Sequence, residues 1–94
     1  MPSVFNRVCE ALGRDRYIVG VHALNRLEER GIEEWQVAAG AVEGRPLLEQ
    51  PHAKPNPTVH VQQQLPDGST IIAIWAWLEL NEAAKLVTVW HETG

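Results

Sequence analysis

One eleven-residue stretch, from His22 to Ile32 (HALNRLEERGI), leaves the chain around it little freedom. At about 3.6 residues per turn, Ala23, Leu24 and Leu27 fall in one apolar arc. His22, Asn25, Arg26, Glu29 and Arg30 fill the rest of the circumference. His22, Arg26 and Arg30 are spaced i, i+4, i+8 and form one ridge along the edge of that arc. Gly31 stands where a helix takes a left-handed residue, and Ile32 stands where the chain folds back on Leu27 in a Schellman ending. The stretch is therefore a short amphipathic helix with its own stop.

The segments on either side read as follows. Ser3 caps a helix over Val4–Leu12, with Val4, Phe5, Val8, Cys9 and Leu12 at helical spacing and Gly13 at its end. Tyr17–Val21, rich in β-branched residues, is a short strand or an extended entry to the next helix. Glu33–Val42 is a further helix, with two glutamates at its positive end. Gly40 inside it calls for close packing, and the tight Gly31 turn makes the two helices a hairpin. Strands follow: Arg45–Gln50, Thr58–Gln64, Ser69–Leu80 and Lys85–His91, separated by a proline-rich loop (51–57), a turn at Leu65–Gly68 and a turn at Asn81–Ala84. The fold class is α+β, with N-terminal helices packed on a four-stranded, mainly antiparallel sheet. Ser69–Leu80 is apolar on both faces, with Ile72, Ile74, Ala76 and Leu78 on one and Ile71, Ala73, Trp75 and Trp77 on the other. The Trp75/Trp77 face needs a cover, either the N-terminal helix or a second subunit, so a homodimer through that face is expected.

Composition limits the function classes. With 94 residues the chain is one domain. It carries 8 Lys+Arg against 12 Asp+Glu, a net charge of −4, which argues against a dedicated nucleic-acid binder while leaving room for a local basic patch. A lone cysteine, Cys9, allows no internal disulfide and suits a reducing compartment. No apolar run approaches the ~20 residues of a membrane span, and charges interrupt the N-terminal apolar run, so neither membrane nor signal peptide is expected. The reading is a soluble, cytoplasmic protein. Four histidines occur, none spaced as HxH, HxxxH or HExxH, so no metal is expected. No cofactor motif is present either.

The ridge is the sharpest candidate for chemistry. Cleaving RNA without metal takes a base for the 2′-hydroxyl, an acid for the leaving oxygen and cations for the charge gathering on phosphorus. Histidine, which titrates near neutrality, suits proton transfer, and the arginine fork suits phosphate. The ridge is equally readable as structural, with Arg30 paired to Glu34 or Glu10 and His22 bonded to a neighbouring strand. His91, near the end of the last strand, supplies a second acid/base group if it reaches the same cleft. Strand parity sends Thr88 and Trp90 to one face and His91 to the other, so only one set shares the helices' face unless a bulge intervenes. His60 sits on the polar face of its strand beside Gln62. It lines a shallow groove or meets water.

These residues also carry a resemblance. The His22-Ala23 pair, Arg26 four residues after the histidine, and Arg30-Gly31-Ile32 resemble the signature of DUF4258, a family of small bacterial domains. Glu33, Glu34 and Val37 continue it, and Val87-Thr88-Val89-Trp90 resembles its last strand. The resemblance covers about Tyr17–His91, preceded by the helix at 3–13. DUF4258 is grouped with RelE-like (BECR) toxin ribonucleases by predicted fold. The resemblance therefore implies a metal-independent ribonuclease of a toxin–antitoxin system, with an antitoxin and RNA as partners. His22, Arg26, Arg30 and His91 would be catalytic, with Thr88 and His60 binding substrate. The alternative is a non-enzymatic interaction or dimerisation module on the same fold.

Overall fold

Ser3 opens the first helix as its position in the sequence requires. In the computed structural model, which describes residues 3–92, Ser3 is extended and its hydroxyl accepts from the Asn6 N–H at 3.0 Å. Helix α1 spans Val4–Gly13 and buries Val4, Val8, Ala11 and Leu12. Its first turn holds no acidic residue of its own. Glu49 from the second strand supplies one: its carboxylate accepts from the Val4 N–H at 3.2 Å and the Phe5 N–H at 3.3 Å. Two donors that a helix start leaves unsatisfied are thereby met across 45 residues of chain.

After the short strand β1, Tyr17–Val19, comes α2, Val21–Arg30. Gly31 sits at φ +65°, and the Ile32 N–H donates to the Leu27 carbonyl at 2.9 Å while the Gly31 N–H donates to that of Glu28 at 3.3 Å. This is the Schellman pair, and Ile32 is buried as the motif asks. Helix α3, Glu34–Ala41, begins with a reciprocal capping box between Glu33 and Gln36. Gly40 lets it approach the sheet closely: a Cβ there would lie 2.6 Å from Nε2 of Gln63, the amide that donates to the Val37 carbonyl at 3.1 Å. The two helices follow one another through the Gly31 turn, and their buried faces rest mainly on different strands of the sheet.

Strands β2 (Arg45–Gln50), β3 (Thr58–Gln64), β4 (Thr70–Leu78) and β5 (Ala83–His91) form the antiparallel meander. The sheet has five strands, not four, in the order β1-β5-β4-β3-β2. β1 joins the outer edge of β5 in parallel, with Ile18 opposite Lys85. A three-residue strand without a clear period is hard to tell from an extended linker, and its partner lies over sixty residues away. α2 lies on β5, α3 on β3, and α1 crosses between them over β2 to β5.

All three helices share one core with one sheet face: Val59 and Val61 from β3, Ile71, Ala73 and Trp75 from β4, and Ala84, Leu86 and Val89 from β5. Trp75 is 0 % exposed and meets Tyr17 edge to face at 6.2 Å. Trp77 packs against the same core. The expected homodimer surface through Trp75 and Trp77 is therefore corrected, because the helices already cover that face. The other face, with Ile72, Ile74, Leu78 and Trp90, carries no helix. Among the described residues, no helix is long and apolar enough to cross a membrane.

Candidate active site

One extra residue in β5 decides which side chains meet. Trp75 of β4 lies opposite Leu86, but Ile74 lies opposite Thr88, so Val87 is a bulge without a partner. The bulge resets the alternation. Leu86 and Val89 both point into the helix-covered core, and His91, two residues on, points to that side as well. Thr88 and Trp90 go to the uncovered face.

His91 there meets the end of α2. Arg30 Nη1 lies 3.2 Å from His91 Nδ1. A guanidinium has only N–H donors, so Arg30 donates and Nδ1 accepts. The contact therefore selects the neutral tautomer with the proton on Nε2. The Schellman ending fixes where the last turn of α2 stops and so where the Arg30 guanidinium reaches. Neither Glu34 nor Glu10 takes Arg30, as the structural reading of the ridge expected. Glu10 instead pairs with Arg14 at 3.2 Å.

The β3–β4 turn closes the same end of the sheet. The Asp67 carboxylate accepts from the Ser69 hydroxyl at 2.6 Å and the Ser69 N–H at 2.9 Å. These bonds, the hydroxyl's first and then the amide's, hold its carboxyl below the ordinary range. Beyond His91, the Glu92 N–H donates to the Thr70 carbonyl at 2.9 Å, and Glu92 Oε1 accepts from Gln62 Nε2 at 2.7 Å. The sequence places Asp67 only in a turn. The meander itself is the signal that places it, since in antiparallel order the β3–β4 turn and the end of β5 share one end of the sheet.

The remaining candidates do not gather there. His22 is exposed on the first turn of α2, eight residues and so about 12 Å of helix from Arg30. Arg26 pairs with Glu29 at 3.4 Å. His60 lies on the uncovered face, edge to face with Trp90 at 6.4 Å. Thr88 shares that face, because both it and His60 stand opposite Ile74. The grouping of Thr88 and His60 with the ridge is thus corrected by register: a whole sheet lies between them and Arg30. Cys9 is half-buried on α1, and burial pushes its thiol above the ordinary value, away from nucleophilic chemistry. Among the described residues no three His, Cys, Asp or Glu side chains converge as metal ligands would.

A family model described as a domain of unknown function (DUF4258) matches residues 20–91. The chain belongs to the DUF4258 family. No curated protein and no solved structure matches it. The DUF4258 span runs from the start of α2 to the end of β5, so it includes both partners of the Arg30–His91 contact. It leaves α1 outside, although α1 fills the middle of the core over β4 and β5.

Proposed function

We propose that this DUF4258 domain is a metal-independent RNA endonuclease of toxin type, in which His91 moves the proton and Arg30 holds the phosphate. The observation that carries the reading is the Arg30–His91 hydrogen bond. An approaching phosphate draws the guanidinium fork to its oxygens and frees Nδ1. Nδ1 then takes the proton of the 2′-hydroxyl, whose oxygen attacks phosphorus. The bond from phosphorus to the 5′-oxygen breaks, and the imidazolium returns its proton to that oxygen. The products are a 2′,3′-cyclic phosphate and a 5′-hydroxyl. His22 and Arg26 extend the ridge away from His91, suited to backbone phosphates along the strand. With a net charge of −4, such contacts have to be local.

The test uses purified protein, an RNA oligonucleotide and its 2′-deoxy analogue, in excess chelator. The expected result is cleavage of the RNA alone, reduced about 100-fold or more in His91→Ala and in Arg30→Ala at unchanged melting temperature. His60→Ala leaves the rate as it was. Intact RNA with the wild-type protein overturns the proposal.

A second reading rests on a different observation. The sheet face without helices carries Ile72, Ile74, Leu78 and Trp90, all half-buried, as a dimerisation module would. Its occupant would be a second copy of this chain.

A further inference from the structure

β1 is an edge strand, and its hydrogen bonds show which of its backbone groups are turned outward. The Ala84 N–H donates to the Arg16 carbonyl at 3.0 Å, and the Gly20 N–H donates to the Leu86 carbonyl at 3.0 Å. In a parallel ladder alternate residues bond to the same neighbour. Arg16, Ile18 and Gly20 therefore face β5, while the N–H and C=O groups of Tyr17 and Val19 point off the open edge. At that edge lies an open groove of about 510 Å³, lined by Asp15, Tyr17, Ile18 and Val19, by Leu24 of α2 and by Glu34 of α3.

The groove mixes apolar and polar surface in about equal shares, and its acidic side chains are Asp15 and Glu34. Ile18 is 51 % exposed and Leu24 41 %, and Val21 between them in sequence is 78 % exposed. Burial first, then the Glu34 and Asp15 carboxylates, push the Tyr17 phenol above its ordinary value, so both carboxylates act on the groove. Four outward backbone groups, the apolar side chains of Ile18 and Leu24, and the carboxylates of Asp15 and Glu34 call for one kind of ligand. An added strand satisfies the backbone, its apolar side chains pack on Ile18 and Leu24, and its cations answer the carboxylates.

We propose that the open edge of β1 is a docking site for an extended segment of a partner protein that alternates β-branched and basic residues, added as a sixth strand. A second copy of this chain fits less well. It would bring its own Asp15 and Glu34 and a net charge of −4 against the same carboxylates. The proposal does not depend on catalysis at His91.

A randomised octapeptide library displayed on phage and panned against the full chain tests it. Enriched peptides should carry Lys or Arg among Val, Ile and Thr. A synthetic copy of one should slow hydrogen exchange at the Tyr17 and Val19 amides. Glu34→Lys should weaken binding about five-fold, more at low salt, and Leu24→Asp about ten-fold or more, both in a chain whose circular dichroism shows the fold retained. The proposal is overturned by a library that enriches nothing or enriches peptides without basic residues. It is equally overturned if binding leaves both amides exchanging as in the free protein. A free chain of twice the expected mass with these amides already protected overturns it in favour of a second copy.

Discussion

Single side chains in this molecule are set by hydrogen bonds that can be moved one at a time. Asp67 is the clearest case. Its carboxylate takes the Ser69 hydroxyl and N–H, and both favour the charged form. The native carboxyl therefore titrates below its ordinary value. Its contribution to folding is complete above the unfolded value and is lost as pH falls through the depressed native one. Ser69→Ala removes the larger of the two contributions. A carbon NMR titration of Asp67 should then show the midpoint rising toward the ordinary carboxylate range. An unmoved midpoint would mean that the hydroxyl bond does not form in solution. His91 obeys the same logic at its ring, where the donor on Arg30 dictates which nitrogen keeps its proton.

At the scale of elements, helix ends do the positioning. Gly31 makes no close contact that a Cβ would disturb, so Gly31→Ala costs backbone strain alone, about 1 kcal/mol. For a domain of this size that is a fall of about 4–8 °C in Tm. The turn also aims Arg30, so the nitrogen shifts of His91 should move in the same variant. A stable Gly31→Ala protein with unmoved His91 shifts would show that the αL turn neither ends α2 nor places its arginine. The start of α1 is the long-range counterpart. Glu49→Ala frees the Val4 and Phe5 N–H groups and should cost about 1 kcal/mol by chemical denaturation. Ser3 as a cap was readable from its place before an apolar run. Glu49 was not, because nothing local to a strand residue says that a helix start will lie against it.

At the scale of the whole molecule, the helix periods, the Gly31 stop and the antiparallel meander were legible because each is written in local spacing. What was not legible depended on register between distant segments. The parity of β5 was readable only up to Val87, and a single unpaired residue there reversed the fate of His91, Thr88 and Trp90. The two-sided apolar pattern of β4 announced that both faces needed cover but not which one the helices would take. With Trp75 enclosed, the question of a second subunit passes to the Ile72, Ile74, Leu78 and Trp90 face. Ile74 is at its middle, between His60 and Thr88 in the ladders. If a second copy covers this face, the wild-type chain at tens of micromolar has twice the single-chain mass, and Ile74→Lys has the mass of one chain with its fold retained. The lysine would bury an unpaired charge in the interface but meets water in the monomer, so it separates association from stability. A single-chain mass for the wild type ends the dimer reading and leaves this face open to water. The enzyme reading would be untouched, because Arg30 and His91 lie on the other side of the sheet.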